Sequence, residues 1–220
     1  MLKRYKKYFE KIEDSKDNYQ KELLESSFLN KFKALIRLQE KSLFFGKSKY
    51  KFNESFNFSK IIEILDELKK ENLVIDYCLG GATALLYYST PHFTEDIDIF
   101  INIKQKGLLF SLSDIYEFLK TNYNAKEKGE FILIQGNPIQ FLLPGDKLTQ
   151  EAFDNAEYKN ISGKKIKIFS LEHLVAIMLN LGKQKYISRL QIIKKENKYD
   201  ENILTKLLVK YNLLNKWLKI

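Results

Sequence analysis

Cysteine, histidine and long apolar runs are scarce in this chain of 220 residues, and each scarcity excludes a class of protein. A single cysteine, Cys78, excludes an internal disulfide and indicates a reducing compartment. The two histidines, His92 and His173, form no Cys/His cluster in the sequence, so we expect no zinc site. The longest nearly apolar run, residues 73–88, is too short to span a bilayer, and the N-terminal residues lack the apolar stretch of a signal peptide. We therefore expect a cytoplasmic protein with no membrane partner.

Apolar residues and positive charge, by contrast, are abundant. Hydrophobic residues make up 45% of the chain and aromatic residues 14%, which is enough for a folded core. The net charge of +9 is unevenly spread: it is +6 over residues 1–56, −4 over residues 57–182 and +7 over residues 183–220. The basic ends are either solvated lysine-rich helix faces or a surface for a polyanion such as RNA, and composition does not separate these alternatives.

The spacing of apolar residues predicts helical ends around a mixed centre. The predicted helices are 18–44, 59–70, a short one over 82–88, and 111–122, followed by an all-helical stretch from residue 171. The predicted strands are 73–79, 96–103, 131–135 and 139–143, and the last two are joined by a turn at Gly136-Asn137. A further short hairpin over 161–168 turns at Ser162-Gly163. We therefore predict an α/β (α+β) fold, with a small mixed sheet, flanking helices and a helical bundle built from the two ends.

Three segments follow from this pattern. Residues 1–56 form an N-terminal helical segment, and the polar stretch 46–56 is the best candidate for its boundary. Residues 57–170 form the mixed core, and residues 171–220 form a C-terminal helical segment that we expect to pack against the first segment.

Two aspartates, Asp96 and Asp98, stand out inside the apolar run "TEDIDIFI". Residues i and i+2 of a strand point to the same face, so the two carboxylates project together while Ile97 and Ile99 enter the core. Such a pair is costly out of water unless a cation neutralises it, and Mg²⁺ is bound through carboxylate oxygens. The alternative is a strand whose outer face is simply solvated.

Two adjacent glycines, Gly80 and Gly81, lie between a predicted strand and a predicted helix. A glycine turn lets the backbone approach a ligand closely, and the N-terminus of a helix offers free N–H groups to an anion. A phosphate site followed in the chain by metal-binding carboxylates is the arrangement that phosphoryl transfer requires.

In combination, these motifs resemble a known group of enzymes. Gly-Gly, a short helix and "TEDIDIF" resemble the signature of the DNA polymerase beta-type nucleotidyltransferase superfamily. The fuller pattern "GGATALLYYSTPHFTEDIDIF" is similar to the AbiE-type toxin nucleotidyltransferases. Three later segments resemble that branch in the same order: "IQFLLPGDKLTQEAFDNA", "SLEHLVAIMLNLGKQKYISRL" and "LLVKYNLLNKW". The resemblance covers about residues 60–217 and leaves residues 1–56 outside it.

The resemblance implies a role for each matching residue. Asp96 and Asp98 match the ligands of a catalytic Mg²⁺ or Mn²⁺ ion, and Gly80 and Gly81 match the phosphate-binding turn of the nucleotide site. Thr94 matches a hydroxyl that steadies the loop before the aspartates.

Other family positions are basic or depart from the pattern. Lys183 and Lys185 fall where the family has basic residues, which implies contact with the nucleotide. Gln140 occupies the place of a third carboxylate, Met178 the place of a lysine, and Tyr186 the place of an aspartate.

The implied function is magnesium-dependent transfer of a nucleotidyl group from a nucleoside triphosphate to an acceptor. Among AbiE-type toxins this implies tRNA or another RNA as acceptor and an antitoxin protein as partner. The departures favour an alternative, a catalytically degenerate nucleotide-binding or RNA-binding protein of the same fold. In an active enzyme, Asp76 or Glu95 are the candidates to supply the third carboxylate.

Overall fold

The centre of the fold is a mixed sheet. The structure is a computed structural model that describes residues 15–45, 52, 57–103, 112–161 and 163–220. Its strands are β1 (Asp76–Leu79), β2 (Ile97–Asn102), β3 (Lys126–Lys128), β4 (Phe131–Ile134), β5 (Asn137–Leu142), β6 (Glu157–Ile161) and β7 (Lys164–Ile168). They form one seven-stranded sheet in the order β3-β4-β5-β2-β1-β7-β6.

Helices precede, connect and follow these strands. They are α1 (described over residues 15–25), α2 (Phe28–Phe44), α3 (Phe58–Lys70), α4 (Gly81–Tyr88), α5 (Ser113–Tyr123), α6 (Lys147–Asp154), α7 (Leu171–Leu181), α8 (Gln184–Glu196), α9 (Glu201–Lys210) and α10 (Leu214–Leu218). The predicted class, α/β with a mixed sheet and flanking helices, is confirmed. None of the helices in the described ranges is both long and apolar enough to cross a bilayer.

Strand β2 lies in the middle of the sheet and determines where its polar residues point. It pairs antiparallel with β1 and parallel with β5, and in the second pair Asp98 lies opposite Gln140. The alternate residues Ile97, Ile99 and Ile101 are fully buried in the core. Because paired residues of neighbouring strands face the same side of a sheet, Asp98 and Gln140 lie side by side.

The predicted helix 18–44 is wrong in one respect, because it is two helices. The chain is extended at Ser27, whose side chain accepts a hydrogen bond from the backbone N–H of Asn30 at 3.3 Å and so caps α2. The hydroxyl of Ser26 donates to the carbonyl of Leu23 at 2.8 Å. Serine competes for backbone hydrogen bonds in this way, which is why an apolar period alone does not show the break.

Three strand predictions also need correction. Strand β1 begins at Asp76 instead of residue 73, because the chain turns after α3 and the N–H of Leu73 donates back to the carbonyl of Leu68 at 2.9 Å. The β4–β5 hairpin turns at Gln135 and Gly136, both with positive φ, one residue earlier than the Gly136-Asn137 turn that the sequence indicates. The second hairpin is longer than predicted and begins at Glu157, and Ser162, predicted in its turn, lies outside the described residues. The predicted boundary 46–56 is also outside them apart from Phe52, so the division into three segments stays a prediction.

Helices from the two ends of the chain contact each other. Lys195 pairs with Asp17 and Lys198 pairs with Glu25, which joins α8 and the residues after it to α1. Lys194 donates to a backbone carbonyl of α10 and lies 4.9 Å from the centroid of its indole ring. Three lysines of the basic C-terminal end therefore contact the protein itself.

Candidate active site

A cavity of about 400 Å³ lies where β1 ends and β2 begins. The N-terminus of α4 forms one side of it, and β2 and β5 form the floor. Helix α7 contributes an apolar wall that includes Leu174, Ile177 and Met178, and the start of α8 contributes basic side chains. One cavity therefore has carboxylate, cationic and apolar walls.

The carboxylates of Asp96 and Asp98 both face this cavity, as their spacing predicts. The hydroxyl of Thr94 donates to Asp96 Oδ1 at 2.8 Å. Among the described residues, no side chain forms an ion pair with Asp98 and no group donates a hydrogen bond to its carboxylate. Loss of water raises the pKa of both carboxyls, and the charge of Asp96 adds to this effect on Asp98, whose pKa rises to about 7. A cation bound here would remove that cost.

The donor set fits a hard divalent cation that keeps part of its own coordination shell. The described residues contain no group of three or more His, Cys, Asp or Glu side chains that could hold a metal ion. Two carboxylates are nevertheless the typical protein share for Mg²⁺, which takes its other ligands from water and from substrate phosphates.

Gly80 and Gly81 lie at a turn that packs closely against side chains of β2. Gly81 begins α4 with φ of +55°, and a Cβ there would lie 1.6 Å from Asp98 Oδ2. At Gly80 a Cβ would lie 2.5 Å from the ring of Phe100. Both glycines therefore let β2 side chains pack against the turn. Gly81 lines the cavity, whereas Gly80 is set back and donates its N–H to the carbonyl of Asp98 at 3.0 Å.

The cationic wall includes the two predicted lysines and one residue that the sequence analysis missed. Lys183 and Lys185 line the cavity, and so does Arg189, one helical turn beyond Lys185. The guanidinium of Arg189 is largely removed from water, and this burial lowers its pKa. Arg189 is thus a desolvated cation near the two aspartates. The side chains of Lys185 and Arg189 lie 5.3 Å and 5.6 Å from the ring centroid of Tyr186. The i, i+4 spacing from Lys185 on one helix face is the signal in the sequence by which Arg189 could have been found.

Gln140 lies beside Asp98, as predicted from the sequence, and its side chain contacts a carboxylate of the β3–β4 turn. Its Nε2 lies 3.1 Å from an oxygen of Glu130, and both side chains line the cavity. Glu130 belongs to the β3–β4 turn. The candidates named from the sequence are less suitable: Asp76 forms ion pairs with Lys69 and Lys167 near the opposite end of β1, and Glu95 is absent from this cavity's lining.

A second cavity of about 430 Å³ adjoins the first. The side chains common to both are Thr94, Asp96, Glu130, Lys185 and Arg189. Its other lining residues are His92, Phe93, Glu95, Phe131 and Ser188. Two compartments therefore meet at the carboxylates, as a transfer between two bound molecules requires.

The loop between α4 and β2, residues 89–96, is tied to helices on both sides. The hydroxyl and the N–H of Thr90 donate to Glu196 Oε1 at 2.7 Å and 3.1 Å, and Arg189 donates to the carbonyl of Phe93. From the other side, Gln39 Nε2 donates to the carbonyl of Thr94 at 2.8 Å. The sequence carried no signal for Gln39, because a glutamine in an amphipathic helix normally faces water.

Comparisons with known proteins give similarity of fold at a low level. No protein-family model and no curated protein matches this sequence. An antigenic nucleotidyltransferase-like protein from Paracoccidioides brasiliensis is 17% identical, with a TM-score of 0.47, over 73% of this chain and 91% of that chain. The antibiotic-resistance factor ANT(2'')-Ia is 15% identical, with a TM-score of 0.42, over 73% of this chain and 94% of that chain. Similarity at this level does not identify a reaction, and the resemblance to the AbiE-type branch stays a prediction.

Proposed function

We propose that this protein is a nucleotidyltransferase that depends on Mg²⁺ or Mn²⁺ and transfers a nucleotidyl group from a nucleoside triphosphate to a hydroxyl acceptor. The observation that carries the proposal is the pair Asp96 and Asp98, which face one cavity while, among the described residues, the Asp98 carboxylate forms no ion pair and accepts no hydrogen bond. A divalent cation would be held by these two carboxylates. It would supply charge neutralisation at the oxygens of the reacting phosphate.

The walls of the cavity suit the parts of a nucleoside triphosphate. The phosphates would lie between the start of α4 at Gly81 and the cations Lys183, Lys185 and Arg189, where N–H groups and positive charge converge. The apolar wall from α7 would accommodate the base and sugar, because aromatic bases bury well against aliphatic side chains. Met178 and Tyr186, which stand where the resembling family has a lysine and an aspartate, line this cavity and would contact the nucleotide without a charge.

In the proposed reaction the acceptor oxygen attacks the α-phosphorus, the bond to the β-phosphate oxygen breaks, and pyrophosphate leaves. The acceptor would approach from the second cavity and the triphosphate would occupy the first, so that the reacting atoms meet at Asp96. The acceptor proton would pass to Glu130, whose carboxylate lines both cavities and is held by Gln140. Such a base contributes typically about 10²–10⁴-fold to a rate.

We propose RNA, with tRNA as one form of it, as the acceptor class. Lys185 and Arg189, which line the second cavity beside three carboxylates, would contact the phosphates of such an acceptor. The basic ends support it less than the sequence suggested, because Lys194, Lys195 and Lys198 contact the protein itself. A toxin role with an antitoxin partner rests on the sequence resemblance alone.

One observation favours a second candidate, a nucleotide-binding or RNA-binding protein without turnover. Gln140 stands directly beside Asp98 where the resembling family has a carboxylate, and Glu130 replaces it only from an exposed turn. A cation held by two carboxylates without a nearby base would bind a nucleotide and leave it intact.

Incorporation of labelled nucleotide separates the two candidates. The protein would be incubated with total cellular RNA, Mg²⁺ and each α-labelled nucleoside triphosphate in turn, beside the Asp98→Asn variant. An enzyme should label RNA and lose this activity in the variant. Binding of a triphosphate without label transfer would support the binding protein, and equal labelling by both proteins would contradict the proposed site.

A further inference from the structure

We infer that Gln39, which belongs to the N-terminal segment outside the sequence resemblance, is a positioning residue for the carboxylate of Asp96. The inference rests on the proposed function, because it assigns Asp96 to the cation. Its physical basis is a continuous line of short hydrogen bonds from α2 to the site, through Thr94.

The amide of Gln39 is fully buried and both of its ends are used. Its Nε2 donates to the carbonyl of Thr94 at 2.8 Å, and its Oε1 accepts from the backbone N–H of Phe52 at 2.8 Å. A buried amide is costly unless it is paired, so the helix presents it in a defined orientation. The bond from Phe52 orients the Gln39 amide, and the bond to the Thr94 carbonyl, also of near-ideal length, fixes the position of the Thr94 backbone.

The side chain of Thr94 connects this fixed backbone to the Asp96 carboxylate. Its hydroxyl donates to Asp96 Oδ1 at 2.8 Å, and the Thr94 side chain is buried. Among the described residues, Thr94 is the side chain that donates a hydrogen bond to the Asp96 carboxylate, and Asp96 lines the cavity. Groups that orient a metal ligand typically change metal affinity about 10–100-fold when they are removed.

The other ties of the loop do not replace this one. Arg189 holds the carbonyl of Phe93 and Glu196 holds Thr90, both from α8. In the described part of the chain, Gln39 is the side chain that bonds the Thr94 backbone. The loop is thus clamped between α8 and α2, and the N-terminal segment forms part of the site rather than an appendage to it.

Manganese binding tests the inference without any need for turnover. The parent and the variants Gln39→Met, Thr94→Val and the double variant would be titrated with Mn²⁺ alone, and free Mn²⁺ would be followed by electron paramagnetic resonance. We expect Gln39→Met to weaken binding by about tenfold in the parent. In the Thr94→Val background, Gln39→Met should weaken Mn²⁺ binding by less than about twofold, because the hydroxyl that connects the loop to the Asp96 carboxylate is already absent.

Leu35→Ala is the matched control for a general loosening of α2. Leu35 is fully buried one turn before Gln39, and its truncation leaves a cavity in the core while removing no hydrogen bond to the loop. The Leu35→Ala variant should bind Mn²⁺ within about twofold of the parent, whereas Gln39→Met should bind about tenfold more weakly. If Gln39→Met does not fold, Gln39→Asn, one methylene shorter, removes the reach to Thr94 and takes its place.

Each outcome decides the inference. Parental affinity in the Gln39 variant, an equal loss in Leu35→Ala, or additive losses in the double variant would each overturn it while the proposed function stands. Asp98→Asn is measured alongside. If Asp98→Asn binds Mn²⁺ as tightly as the parent, the cation site itself is wrong, and the proposed function fails together with this inference.

Discussion

Replacing Asp98 by asparagine should stabilise the metal-free protein at pH 8, although it removes a residue of the proposed active site. Asparagine keeps the size of the side chain and removes the charge that burial and the neighbouring Asp96 carboxylate disfavour. Because the pKa of Asp98 is raised in the folded protein, the fold favours the neutral carboxyl. The stability that this neutral form provides is fully present below the ordinary pKa and is lost as the pH rises through the pKa of the folded state. The parent should therefore lose stability between about pH 4 and pH 7–8, and the variant should lose less.

The size of the effect follows from the pKa. Each pKa unit corresponds to about 1.4 kcal/mol, so a pKa of about 7 against an ordinary value of 3.8 sets an upper limit of about 4 kcal/mol. The side chain retains some contact with solvent and shares its repulsion with Asp96, so we expect about 1–2 kcal/mol. In a chain of this size that corresponds to a rise of about 3–6 °C in Tm.

Thermal unfolding with and without Mg²⁺ measures this directly. In the presence of EDTA the variant should unfold at the higher temperature, and Mg²⁺ should raise the Tm of the parent alone. Asp76→Asn is the control of opposite sign, because Asp76 pairs with Lys69 and Lys167 and its neutralisation should lower the Tm. A lower Tm for metal-free Asp98→Asn than for the parent would refute the reasoning that the carboxylate is held without a partner.

Three further predictions test the neighbouring residues. Gly81→Ala should destabilise the protein by at least about 1–2 kcal/mol and abolish Mn²⁺ binding, because a Cβ at φ of +55° meets Asp98; denaturant unfolding and Mn²⁺ titration check this. Gln140→Glu should tighten Mn²⁺ binding at pH 8, since a third carboxylate then lies beside Asp98; unchanged affinity would contradict the register of β2 and β5. Glu130→Gln should lower label transfer about 10²-fold or more and leave Mn²⁺ affinity close to that of the parent, whereas Glu127→Gln on β3 should change neither.

The central strand and its carboxylates could be predicted because their pattern is local. Alternation over residues 96–103 reflects one face buried in the core, so it gives both the strand and the common face of Asp96 and Asp98. The parallel pairing that places Gln140 beside Asp98 could be proposed only through the resemblance, since register between distant strands leaves no mark in a single sequence.

Other parts of the site had no local signal. The three residues of strand β3, Lys126–Lys128, are exposed and charged, so the strand has no alternation of apolar and polar residues that could indicate it. It forms a strand because it pairs with β4. Glu130 becomes a site residue through the turn that β3 and β4 form. Gln39 becomes one because α2 packs against α4 and brings Gln39 to Thr94, 55 residues away in the chain.

The most direct test of the proposed function is the position of a bound cation. Crystals grown with Mn²⁺ and a non-hydrolysable nucleoside triphosphate would be measured for anomalous scattering at the manganese edge. The account predicts a peak within coordination distance of both Asp96 and Asp98, with the triphosphate between the start of α4 and Lys185. A nucleotide bound in this cavity with no manganese at the two aspartates, or a manganese peak elsewhere, would contradict it.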